Sequence, residues 1–148
     1  MRKMDTGWFN MDKNSDNQAI LSLYLKTIFY LPDDMRRFPA RFAVITAFNP
    51  MGKSLTSLKN KTRNMQLHPY AQPQYRQTIN ACAPDLSHCE ESYIIELPLP
   101  DCQQLGKKLG QLAFFWIEHD KLSIIPAHMQ PETPIDAGSF KKKVIYKP

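Results

Sequence analysis

Six side chains stand where polar groups could meet a ligand: Thr46, Asn49, Asn60, Arg63, Glu90 and Gln111. Asn49 follows an apolar, β-branched run, Phe42 to Ala47. Glu90 stands just ahead of a second run, Tyr93 to Leu97. Gln111 opens a third, Gln111 to Ile117, directly after Gly110. Asn60 and Arg63 are three residues apart, a spacing that puts both on one face of a helix. Amide side chains present donors and an acceptor side by side, which suits nucleobases and sugars. The guanidinium suits a phosphate or carboxylate, and Glu90 is the carboxylate placed to act as a general base. Singly, each has a plain structural reading: Asn49-Pro50 is turn chemistry, and Gln111 can cap backbone groups. Their joint placement at element ends points to one pocket for a small nucleotide-, nucleobase- or sugar-like ligand. The alternative is a basic interaction module that binds nucleic acid or protein without catalysis. The residues leave open whether there is a reaction.

Other chemistry fits less well. Ala47-x-x-x-x-Gly52-Lys53-Ser54 lies between a strand and a helix, as a phosphate-binding loop does. Its first glycine is replaced by Ala47, and Pro50 removes an N–H that such a cradle would use. No G-x-S-x-G nucleophile elbow is present. Phe114, Phe115 and Trp116 point to alternate faces of a strand and read as core, with base stacking the alternative. Cys82, Cys89 and Cys102 make an odd count with no C-x-x-C pair. That argues against a disulfide framework or a zinc ribbon. No metal and no cofactor is expected.

At 148 residues, with 43% hydrophobic and 22% charged residues, the chain reads as one soluble globular domain. The net charge is +5, with scattered cations among them Arg36, Arg37, Arg41, Lys53, Lys59, Lys61, Arg63 and Lys141 to Lys143. Such scatter implies weak, salt-sensitive binding to nucleic acid at most. No apolar run is long enough to span a membrane, and the first residues lack an apolar signal core. The expected compartment is the cytoplasm, no membrane association is expected, and the residues leave a protein partner open.

The elements that would position the six residues follow from periodicity and breakers. Residues 1–14 read as a flexible lead-in, 15–125 as an α/β domain, and 126–148 as a Pro-rich connector with a basic C-terminal segment. Ser15 or Asp16 caps a helix expected to reach about Phe29, with Ile20, Leu21, Tyr24, Leu25 and Ile28 as its apolar stripe. A strand at 42–47 feeds a helix from Ser54 in which Leu55, Leu58 and Met65 would bury, ended by Pro69. Residues 68–88 read as a long loop with a short strand near Thr78 to Ala81. Asp101 caps a third helix that Gly110 ends. Gln111 to Ile117 and Lys121 to Ile125 form a hairpin around His119-Asp120, and FKKKVIY is a terminal edge strand. Strands joined through helices favour parallel neighbours. The expected fold is a mixed β-sheet flanked by helices in a single domain, α/β or α+β.

Several stretches together resemble the bacterial domain-of-unknown-function family 3293. They are Tyr24-x-x-Thr27, Ile45-Thr46-Ala47-Phe48-Asn49-Pro50, Asn60-x-x-Arg63-x-x-x-Leu67, Glu90-x-Ser92 and Leu109-Gly110-Gln111-x-Ala113-x-Phe115-Trp116. The resemblance spans about residues 18–125. Phe29 stands where the family pattern has tyrosine. The resemblance implies no activity; it implies that the matched polar residues belong to one pattern. Glu90 and Gln111 would share an edge with Asn49 if their strands ran antiparallel to the one that Asn49 ends.

Overall fold

A computed structural model describes residues 13–32, 37–71 and 78–147, with side chains from residue 17 onward. Residues 1–12 of the 1–14 lead-in, Arg36 and the middle of the long loop lie outside the described residues, while residues 13 and 14 open the first helix. The chain runs α1 (Lys13–Lys26), β1 (Ile28–Leu31), β2 (Arg41–Ile45), α2 (Ser57–Asn64), β3 (Ile79–Cys82), β4 (Cys89–Ile95), α3 (Leu99–Lys108), β5 (Ala113–Glu118), β6 (Lys121–Pro126), β7 (Ile135–Ser139) and β8 (Val144–Tyr146). Short 3-10 turns lie at Pro50–Gly52, Met65–Tyr70 and Lys141–Lys143.

All eight strands join one sheet, in the order β7-β6-β5-β2-β4-β3-β1-β8. The fold is α+β. β1 and β8 pair in parallel; every other strand pairing is antiparallel. The parallel neighbours expected from helical crossovers are therefore not formed at the centre. β2 lies between β4 and β5, antiparallel to both.

The sheet cannot be flat. Four residues, Phe140 to Lys143, separate β7 from β8, which are its two outer strands. The five Cα steps from Ser139 to Val144 reach at most about 18 Å. The outer strands of a flat eight-stranded sheet would lie about 34 Å apart at ~4.8 Å per strand. The sheet must curl until its edges approach. The Phe140 ring fills the approach, with centroids 5.0 Å from Phe29, 5.2 Å from Phe38 and 5.5 Å from Phe42.

Two cores result. Inside the curl lie Phe29, Leu31, Phe42, Val44, Ile94, Phe115, Ile117 and Phe140, onto which α1 packs Ile20, Leu21 and Tyr24. On the outer face Ile45, Ile95, Phe114 and Trp116 pack with Cys102, Leu105 and Leu109 of the α3 region and with Leu67. The aromatic run is core on both faces, as its alternation requires.

Several boundaries differ from the sequence expectation. α1 stops at Lys26, where the Thr27 hydroxyl donates to the Leu23 carbonyl at 2.9 Å and the Lys143 ammonium donates to that of Leu25. Ile28 and Phe29 instead open β1, because Phe29 and Leu31, two apart, are both fully buried. α2 is capped by Thr56, whose hydroxyl accepts from the Lys59 amide at 3.2 Å, and not by Ser54. Pro69 lies inside the 3-10 turn that follows α2. The stretch read as a connector contains β7, which pairs with β6. Cys82 and Cys89 form a disulfide, since the β3–β4 hairpin sets them opposite each other with Cα atoms 4.1 Å apart. The odd count reflects Cys102, which is buried and free. Among the described residues, no helix is long and apolar enough to cross a membrane.

Candidate functional site

The end of β2 is where the six residues meet. Ile45 pairs with Tyr93 on one side, and Val44 pairs with Phe115 on the other. Carrying both registers onward sets Phe48 opposite Glu90 in one direction and Gln111 in the other. The antiparallel condition for a shared edge is met. Beyond Ile45 the chain leaves the ladder, so its backbone groups need other partners.

Side chains supply them. Asn64 Oδ1 accepts from the Ala47 amide at 2.7 Å, and Arg63 Nε donates to the Ala47 carbonyl at 2.8 Å. The Phe48 amide donates to Thr46 Oγ1 at 3.1 Å, and Gln111 Nε2 donates to the Phe48 carbonyl at 3.0 Å. The Asn49 amide donates to Asn60 Oδ1, and Asn60 Nδ2 donates back to Asn49 Oδ1, both at 2.9 Å. Asn49 Oδ1 also accepts from the Leu55 amide at 3.0 Å, while its Nδ2 donates to Glu90 Oε2 at 3.0 Å. Thr46 Oγ1 donates to the Glu91 carbonyl at 2.7 Å.

All six residues thus belong to one hydrogen-bonded network. It includes Asn64, which sequence reasoning missed; its Nδ2 donates to the Glu91 carbonyl at 2.8 Å. The signal was present in the spacing, because Asn64 lies four residues after Asn60 and shares its face. Both are buried, at 1% and 4% exposure, while Leu58 and Met65 are exposed at 75% and 68%. The expectation that Leu58 and Met65 bury is overturned: α2 turns its amides inward because only they can serve the departing backbone.

The network sets the loop that follows. Asn49 is left-handed (φ 48, ψ 61), as are Met51 (φ 53) and Gly52 (φ 74). Asparagine enters that region more readily than most residues. The loop is fastened to the end of α3: the Met51 amide donates to the Gly110 carbonyl, and Arg63 Nη2 to that of Leu109, both at 2.6 Å.

Electrostatically, Glu90 is the group to note. Its Oε2 also lies 3.2 Å from His88 Nε2, and its side chain is about one quarter exposed. Burial, and after it the Glu90 charge, push the Tyr24 phenol well above the ordinary range; its hydroxyl donates to the Ala113 carbonyl at 3.2 Å. Burial also pushes the Cys102 thiol up, to about 11, so it is protonated and unreactive at neutral pH.

A cavity of about 690 Å³ lies next to this assembly, between α1, α3 and the segment after β6. Its walls include Ile20, Met51, Gln103, Gln104, Lys107 and His128. None of the six network residues lines it. Met51 belongs to both structures, since it sits in the cavity wall and is held by the network through its bond to Gly110. His128 Nε2 lies 3.0 Å from the Lys107 carbonyl, which ties the wall after β6 to α3.

The family described as Protein of unknown function (DUF3293) matches residues 45–114. The match contains the whole network, Thr46 through Gln111, and stops short of α1 and of Phe115-Trp116. No curated protein and no solved structure matches the chain.

Proposed function

With the DUF3293 segment as the premise, we propose that the chain binds a small nucleotide-, nucleobase- or sugar-like ligand in the 690 Å³ cavity. In this reading Thr46, Asn49, Asn60, Arg63, Glu90 and Gln111 are the scaffold of the cavity wall and do not touch the ligand. The observation that carries it is the 2.6 Å bond from Met51 to Gly110, which ties the strained loop to the helix that supplies Gln103, Gln104 and Lys107. The volume falls in the range of small-ligand sites, roughly 300–1,000 Å³. Gln103 and Gln104 offer paired donors and acceptors, and the Lys107 ammonium suits a phosphate or carboxylate. Glu90 is committed to Asn49, so no reaction is assigned to it. The setting we read is the bacterial cytoplasm. The Cys82–Cys89 bridge argues the other way, because reducing compartments keep thiols free.

A thermal-shift screen over nucleotides, nucleosides, bases and sugar phosphates tests the proposal. A ligand at a hundred times its Kd stabilises by about 2.7 kcal/mol. For a domain of this size that raises Tm by roughly 5–11 °C. The shift is expected to vanish in Lys107→Ala and Gln104→Ala, whose own melting should match the parent. A screen with no shift in any class, or a shift that both variants retain, would overturn the reading.

A further inference from the structure

α2 exposes what a helix normally buries. Leu58 and Met65, the helical-backbone cap residue just after α2, are seven residues apart, which sets them on one face about 10 Å apart along the axis. Lys61 lies between them on that face, with Lys59 and Lys53 close by in sequence. The helix cannot roll to bury Leu58. Asn60, Arg63 and Asn64 fasten its other face to Asn49, Ala47, Leu109 and Glu91, which come from three separate parts of the chain. The exposure is therefore built in. The segment itself is one-signed: from Lys53 to Tyr70 the sequence holds four Lys and Arg and no Asp or Glu. Among the described residues, no ion pair involves Lys53, Lys59 or Lys61.

We propose that this face of α2 docks an acidic protein segment whose apolar side chains meet Leu58 and Met65. Charge complementarity and fixed apolar anchors choose this occupant. A nucleic acid would answer the lysines through its phosphates but leave Leu58 and Met65 wet. A second copy in a two-fold contact would set Lys59 and Lys61 against their own equivalents. Two apolar side chains on so short a helix make too narrow a face to hold a bilayer surface. The inference does not depend on the cavity, because no α2 residue lines it.

The test pans a displayed library of random peptides on the immobilised full chain, with two double variants beside it: Leu58→Ser with Met65→Ser, and Lys59→Glu with Lys61→Glu. These side chains are exposed and unbonded, so both variants should melt with the parent. Enriched peptides are expected to be net acidic with apolar residues one or two helical turns apart. Their affinity, read by fluorescence anisotropy, should fall about tenfold or more in each double variant, as for loss of a central anchor. Added salt should erase the effect of the charge variant and leave that of the apolar variant. Enrichment without acidic or apolar bias, equal binding to the variants, or no enrichment at all would each overturn the proposal. So would a DNA duplex that binds more tightly than the best peptide.

Discussion

Asn64 does more for this structure than any leucine on its helix. It holds a buried backbone amide and a neighbouring strand carbonyl, and it is almost wholly buried. Asn64→Ala strands the Ala47 amide, at about 1–3 kcal/mol, and leaves the Glu91 carbonyl to Thr46 Oγ1 alone. The expected loss of stability is about 1–3 kcal/mol, whereas Leu58→Ala, at an exposed position, should stay within about 0.5 kcal/mol. Urea unfolding of the two variants decides the matter. If Leu58→Ala proves the costlier, apolar burial and not polar satisfaction holds α2. Sequence reasoning reached Thr46, Asn49, Glu90 and Gln111 because they stand at the ends of apolar runs, and Asn60 with Arg63 through their three-residue spacing on one helix face. It missed Asn64 because an asparagine within a helical run usually reads as a surface residue, and only the position of the departing strand shows what it serves.

At the scale of elements, Gly110 joins the two halves of the assembly. It is left-handed (φ 71), and a Cβ there would lie 3.0 Å from Pro50 Cβ. Gly110→Ala is expected to cost about 1–2 kcal/mol for the backbone conformation alone. It should also push the loop away from α3, so any ligand found by the thermal screen should bind it more weakly than the parent. A Gly110→Ala chain with unchanged stability and affinity would show that the loop and α3 are not coupled. The two central strands were legible from their unbroken apolar runs, and the aromatic run gave a two-faced core correctly. β1 was not, because Ile28 continues the 3–4 spacing of α1 while Phe29 and Leu31 carry a period of two; the residues satisfy both rules. β7 was illegible for another reason. Its IDAGS sequence has little strand propensity, and its pairing comes from backbone bonds to β6 at an edge.

At the scale of the molecule, curling depends on the corner between β7 and β8. Asp120 organises it: Oδ2 accepts from the Ser139 hydroxyl at 2.6 Å, Oδ1 accepts from the Lys141 amide at 2.8 Å, and its carbonyl accepts from Phe140. Burial alone would raise this carboxyl, but those bonds and the charges of Lys141 and Lys142 outweigh it and hold it below the ordinary aspartate range. A carboxyl depressed on folding stabilises above its unfolded value, near 3.9, and loses that contribution as pH falls through the folded one. Asp120→Asn, which tolerates the left-handed backbone (φ 72), should therefore be less stable than the parent at pH 7. The gap should narrow below about pH 4. A gap in urea midpoint that stays constant down to pH 3 would show that the charge is not what holds the corner. The antiparallel β5–β6 hairpin was legible, but the antiparallel neighbours of β2 were not, since helical connections ordinarily carry parallel crossovers and nothing local in the chain marks the exception.

The pairing of β1 with β8 sets an order of events during synthesis. Phe29 leaves the ribosome long before Val144, its partner. At about 5–20 residues per second the outer edge of β1 stays open for roughly 6–23 s. An open strand edge is a template for other chains. A nascent chain halted anywhere before residue 144 would carry that edge permanently. A stop introduced just ahead of residue 144 should therefore yield insoluble product out of proportion to the loss of the three residues of β8.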